Sequence, residues 1–144
     1  MRHGEAELNA RTDSDRSLTS YGRAQVVVVA RRLSQMGLQV EESMVSPYLR
    51  ARQTAAIMSQ TLGGFWPEQV SDAITPNQSP ERATVAIAEC FDNIGIGLVV
   101  MHQPIISRLL YYLTGQDQSM ETANLAVIEA PKILIGCCEL ECVI

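Results

Sequence analysis

Apolar residues recur along the chain with two alternating spacings. Between residues 19 and 36, Gly22, Val26, Val29, Leu33 and Met36 fall on one helical stripe. Thr19 suits the start of that helix as an N-cap, and Gly37 suits its stop. Residues 40–45 are short, end apolar and read as a strand. Ser46-Pro47 then offers an N-cap followed by proline at the first helical position. The helix it predicts carries Ala51, Ala55, Met58 and Leu62 on one face and stops at Gly63-Gly64. Residues 65–77 are irregular, broken by Pro67 and Pro76, with room for a short strand near Val70. Ser79-Pro80 repeats the cap-plus-proline start, and Ala83, Ile87, Cys90 and Ile94 supply the buried stripe that follows. Residues 96–101 are a continuous apolar run, the mark of a strand covered on both faces. A helix with Ile105, Leu109 and Leu113 comes next and ends at Gly115. Residues 125–130 and 133–143 read as two final strands, with Gly136 as a bend.

Strands that alternate with helices predict an α/β fold: a three-layer α/β/α sandwich around a mostly parallel central sheet. The length of 144 residues fits one domain spanning 1–144, and no repeat or linker divides it. In such sheets ligands gather at the carboxyl ends of the strands. Three polar clusters fall at or near those ends: Arg2-His3-Gly4-Glu5, residues 46–54, and His102-Gln103-Pro104.

Each cluster has a plain reading beside a chemical one. Imidazole is a good nucleophile toward phosphorus, and a guanidinium is a planar fork for phosphate oxygens. His3 beside Arg2 therefore suits phosphoryl chemistry, and Gly4 would let the backbone approach a ligand closely; alone, His3 could equally be a terminal surface residue. Arg50 lies in the first turn of the helix after Pro47, while Arg52 points to another face. His102 closes a buried strand, where a lone histidine is more often structural. Singly these signals are weak; together they are not.

Composition narrows the field. Hydrophobic residues make up 47%, enough for a core and against disorder. The net charge of -5 without a basic tract argues against a nucleic-acid partner. No apolar run is long enough to span a bilayer, and no leader opens the chain, so a cytoplasmic location is expected. Ten arginines stand against a single lysine, Lys132. Cys137, Cys138 and Cys142 crowd the C-terminus without a paired spacing, and both histidines lie far off, so they read as small hydrophobes in the last strand pair rather than as a metal site.

Four ordered segments carry a resemblance. Arg2-His3-Gly4-Glu5 resembles the RHG signature of the histidine phosphatase superfamily, to which phosphoglycerate mutases and acid phosphatases belong. Leu18-Thr19-x-x-Gly22-x-x-Gln25, Ser46-Pro47-x-x-Arg50-Ala51-x-Gln53-Thr54-Ala55 and His102-x-Pro104 resemble the segments that follow it. The match runs over nearly the whole chain. The short length and the stretch Arg16-Ser17-Leu18-Thr19 are most similar to bacterial phosphohistidine phosphatases of the SixA type.

The resemblance implies a phosphoglycerate mutase-like fold and a phosphatase that works through a phosphohistidine enzyme intermediate. It makes His3 the nucleophile, with Arg2, Arg50 and His102 around the phosphoryl group and Gly4 and Arg16 as further phosphate contacts. No metal or other cofactor is implied, because two guanidiniums and a protonated His102 would supply the charge. His3 must be neutral to attack while His102 should be charged, so their pKa values are expected to be pushed apart. The substrate would be a phosphorylated signalling protein, such as a histidine phosphotransfer domain. The alternatives are a broad phosphomonoesterase on small phosphorylated molecules and a non-catalytic module that binds a phosphorylated partner. Two departures stand out. Met1 directly precedes Arg2 where the family has an apolar strand, so residues upstream of Met1 are expected. Met101 replaces the small residue usual before the second histidine. The place where phosphomonoesterases hold an acid reads Thr75-Pro76, with Asp72 and Glu81 nearby.

Overall fold

The computed structural model describes residues 1–144. Its elements follow the predicted order: α1 (Ser20–Gln35), β1 (Glu42–Val45), α2 (Leu49–Leu62), β2 (Glu68–Val70), α3 (Pro80–Cys90), β3 (Gly97–Val100), α4 (Ile105–Thr114), β4 (Ala126–Glu129) and β5 (Glu139–Val143). β1, β2 and β3 form a parallel sheet in the order β2-β1-β3. Side chains of β1 alternate between its faces, and this divides the core in two. Val45 packs with Val26, Val29 and Leu33 of α1 and Ala55 and Met58 of α2. Met44 packs with Ala83 and Ile87 of α3 and Ile105, Leu109 and Leu113 of α4. Two helices cover each face, and the fold is the expected three-layer α/β arrangement with a mostly parallel sheet.

The caps explain where helices begin. The Thr19 hydroxyl accepts the Gly22 N–H at 2.9 Å, and the Ser79 hydroxyl accepts the Arg82 N–H at 3.3 Å. The expected cap at Ser46 is not formed. α2 starts at Leu49 with Tyr48 as N-cap, because the Ser46 hydroxyl is drawn to a histidine instead. The last strand is shorter than expected and begins at Glu139 rather than at 133. β4 and β5 form a separate antiparallel pair, and residues 131–138 are a loop in which Gly136 adopts φ +64°. Cys137 and Cys138 belong to that loop, Cys142 lies in β5, and all four cysteines are free thiols.

Residues 1–3 complete the frame of the site. Arg2 pairs in parallel with Met101, just beyond β3. The His3 N–H donates to the Met101 carbonyl, and Ala123 N–H donates to the His3 carbonyl. The segment is thus held on both sides, by the end of β3 and by residues 123–124. An apolar cavity of about 590 Å³ lies beside β3 and β4, with Met1, Leu98, Val127 and Ile128 in its wall. No helix is long and apolar enough to cross a membrane.

Candidate active site

His3, Arg50 and His102 meet at the carboxyl end of the sheet, and all three are buried. The His3 ring is fixed from both sides. Nδ1 lies 2.7 Å from the Gly4 carbonyl oxygen, which can only accept, so Nδ1 carries the hydrogen. Nε2 then holds a lone pair, and the Arg50 Nε–H donates to it at 3.1 Å. The tautomer a nucleophilic Nε2 requires is therefore built into the loop. Gly4 also has a packing role. A Cβ there would lie 2.5 Å from the Gly22 carbonyl oxygen, so the missing side chain lets the His3 loop close on α1. Gly22 answers in kind, since a Cβ on it would lie 2.0 Å from the Glu5 carbonyl oxygen.

All three nitrogens of Arg50 are engaged. Beside its bond to His3, it donates to the Asp13 backbone carbonyl and, at 3.0 Å, to the Asp13 carboxylate. Its guanidinium sits 4.9 Å from the centre of the Tyr48 ring. Arg16 reaches the same carboxylate at 3.0 Å and donates to the Glu7 carbonyl at 2.6 Å. Arg52, on the other face of α2, pairs with Glu68 at 2.8 Å and takes no part.

His102 lies 5.0 Å from His3 between ring centres and 4.9 Å from Tyr48. Its Nε2 is 2.7 Å from the hydroxyl of Ser46, a fully buried side chain. Its Nδ1 is buried without a hydrogen-bond partner, and so is Nε of Arg2, whose Nη1 donates to the Met120 carbonyl at 2.9 Å. Buried polar atoms in this state are rare and ask for a ligand. Both belong to residues that surround His3; an oxyanion would satisfy Arg2 Nε–H, and would satisfy His102 Nδ1 in the tautomer that carries its hydrogen there. Burial, followed by the charges of Arg50, Arg2 and Arg16, lowers the His3 pKa to about 4 despite the Gly4 carbonyl. Burial, followed by His3 and Arg50, lowers His102 to about 2. His3 is neutral, as a nucleophile requires. The expected divergence is absent: both values fall, because both rings are buried among the same cations.

A family model described as the histidine phosphatase superfamily (branch 1) matches residues 1–75. The chain belongs to the histidine phosphatase superfamily. It is 32% identical over 127 residues to the phosphohistidine phosphatase SixA of Escherichia coli, covering 86% of this chain and 78% of that protein. It is 29% identical over 125 residues to the SixA homolog of Haemophilus influenzae, covering 81% and 76%. A solved structure of the protein histidine phosphatase SixA complexed with tungstate superposes with a TM-score of 0.91 at 27% identity, covering all of this chain and 93% of that one.

Several motif residues of this superfamily member turn out to be scaffolding. Thr54 Oγ1 accepts the Gly4 N–H at 3.2 Å and donates to the Arg50 carbonyl at 2.8 Å, tying the His3 loop to α2. Gln53 accepts the Leu18 N–H at 2.7 Å, and Gln25 accepts the Glu5 N–H at 3.0 Å. Asp13, Ser46 and Tyr48 touch the central side chains and were missed as site residues. Asp13 had a signal, as an acid three positions before Arg16; Ser46 had been given to a helix cap. Asp72 and Glu81 make no hydrogen bond to His3, Arg50 or His102. Glu81 lies in the first turn of α3, where a backbone N–H and the Ser79 hydroxyl hold its carboxyl below the ordinary range.

Proposed function

We propose that this chain is a phosphohistidine phosphatase in which His3 Nε2 takes the phosphoryl group from a histidine-phosphorylated signalling protein and water then releases it. The single observation that supports this best is the fixed His3 ring: Nδ1–H on the Gly4 carbonyl and a lone pair on Nε2, facing Arg50. Attack forms the P–Nε2 bond as the P–N bond of the substrate breaks, and hydrolysis returns phosphate and neutral His3. Arg2, Arg50 and the unpaired His102 Nδ1 would hold the phosphoryl oxygens, where charge is spread during transfer, with Arg16 at the rim.

The leaving group follows from the acids present. Asp13 is the carboxylate hydrogen-bonded to Arg50, and its bonds to Arg16 and Arg50 outweigh desolvation and hold its pKa below the usual range. Such a group is ionised near neutral pH and is a poor proton donor. An alkoxide needs a proton as it leaves; an imidazole can already carry one, with an ordinary pKa of about 6.5. The site therefore favours P–N bonds and activated aryl esters over alkyl esters. The names of the SixA relatives agree with this substrate class. A cytoplasmic place of action is part of the same reading.

The test is kcat/KM on a matched panel: a histidine-phosphorylated protein domain, p-nitrophenyl phosphate and phosphoglycerate. The phosphohistidine protein should be turned over fastest and phosphoglycerate slowest. Equal or faster turnover of phosphoglycerate would favour a general phosphomonoesterase.

A further inference from the structure

Each of the three nitrogens of Arg50 already donates to the protein, using three of its five N–H groups. Nε–H rests on the lone pair of His3, and both Nη atoms rest on Asp13. Attack on phosphorus needs that lone pair free, and binding an oxyanion needs guanidinium N–H groups free. The Asp13 carboxylate also bridges to Arg16, with one oxygen on each arginine at 3.0 Å. A carboxylate held between two guanidiniums has the charge and oxygen spacing of part of a phosphoryl group. It lies on a one-turn 3₁₀ segment, Asp13–Asp15, that buries no residue, and the Asp13 side chain is 55% exposed. The contact is therefore displaceable, unlike the buried His3 loop.

We propose that Asp13 is a specificity-determining residue that competes with phosphoryl oxygens for Arg50 and Arg16, and so sets how tightly the site holds an oxyanion. The incoming phosphoryl group takes Arg50 from Asp13, the turn moves outward, and Arg50 leaves His3 Nε2. After hydrolysis Asp13 returns and helps expel inorganic phosphate. Without it, Arg2, Arg16 and Arg50 would face the dianion uncompensated, and product would leave slowly. This rests on the oxyanion site proposed above and adds a residue that weakens it by design of charge.

The experiment uses Asp13→Asn, which removes the charge and keeps the backbone carbonyl that Arg50 also uses. Calorimetry with inorganic phosphate as titrant needs no turnover. Phosphate should bind Asp13→Asn roughly three- to tenfold more tightly than the wild type, the range for removing one half-exposed competing charge. The inhibition constant of phosphate in p-nitrophenyl phosphate turnover should fall by the same factor, and hydrogen exchange in residues 12–16 should rise when phosphate is added to the wild type. Equal or weaker binding by Asp13→Asn overturns the competition and makes Asp13 a support for Arg50. Absence of phosphate binding by both proteins overturns the oxyanion site itself, which separates the two failures. Asp13→Glu, which restores the charge, should return affinity toward the wild-type value.

Discussion

His3 and His102 lie 5.0 Å apart among the same arginines, yet they are held in different ways. Both ring nitrogens of His3 are bonded, one to a carbonyl and one to a guanidinium, so its tautomer and orientation are fixed without substrate. His102 is bonded on one side only, to Ser46, and its other nitrogen is buried and unpaired. A nucleophile must present a lone pair at a set angle, and rigid bonding does that. A residue that meets developing charge needs an open donor, and an unpaired nitrogen that carries its hydrogen does that. The contrast lies in the second partner of each ring, which sequence motifs do not display.

Removing the fixed ring should have the largest effect. His3→Ala is expected to lower kcat/KM at least about 10⁴-fold, since the two-step path runs through this ring. Label from ³²P-phosphoprotein should no longer be trapped on the enzyme; in the wild type it should be acid-labile and alkali-stable, as a phosphoramidate is. Retained turnover would show that the histidine pair has been assigned the wrong way round. Arg50→Ala should come next, at about 10²–10³-fold in kcat, the usual loss for one group that stabilises transition-state charge. Its measurement is steady-state kinetics with p-nitrophenyl phosphate, alongside circular dichroism to confirm the fold.

Acid sensitivity sharpens the comparison from another side. An unfolded histidine binds its proton near pH 6.5, whereas folded His3 binds it only near pH 4. As pH falls below 6.5 the unfolded chain is protonated first, so stability is lost between pH 6.5 and 4 and levels off below. The loss from His3 is on the order of 3 kcal/mol, at 1.36 kcal/mol per pKa unit. His102, pushed lower still, extends the slope to more acidic pH. Urea unfolding at a series of pH values should show a steep slope in the wild type and a shallower one in each His→Ala variant, more so for His102. A slope unchanged by either substitution would mean that the rings are not buried neutral.

The parts legible in the sequence were those fixed by local chemistry. The helical stripes, the caps at Thr19 and Ser79 and the four motif segments each depend on residues a few positions apart. The residues missed depend on contacts across the fold. Ser46-Pro47 has the local form of a helix start, but a buried imidazole 56 positions away competes for the hydroxyl and wins. Asp13 sits in a polar stretch that reads as solvated loop until Arg50, 37 positions on, is folded against it. The close approach of Gly4 to Gly22 likewise joins positions 18 apart, and local spacing does not display it. The strand expected over residues 125–130 forms at 126–129, whereas the one expected from 133 begins only at 139, since the apolar run Ile133-Leu134-Ile135 leaves Leu134 and Ile135 exposed in a loop.

The smallest effect tests the open side of His102 through its closed side. If the Ser46 hydroxyl donates to Nε2, the neutral ring must carry its hydrogen on Nδ1, the atom left unpaired, and that hydrogen can meet a phosphoryl oxygen. The opposite tautomer would aim a lone pair at an anion and repel it. Ser46 is thus a positioning residue whose hydroxyl selects the useful tautomer. Ser46→Ala removes that selection without removing charge, and the cost should be about one hydrogen bond, roughly 1 kcal/mol or five- to tenfold in kcat/KM. A cavity alone could lower activity too, so the deciding readout is spectroscopic. Nitrogen-15 shifts of the His102 ring should report Nδ1–H in the wild type and a mixture of tautomers in Ser46→Ala, while the His3 shifts stay as they are. An Nε2–H ring in the wild type, donating to Ser46, would reverse the role given to His102 and leave Arg2 and Arg50 to hold the oxyanion without it.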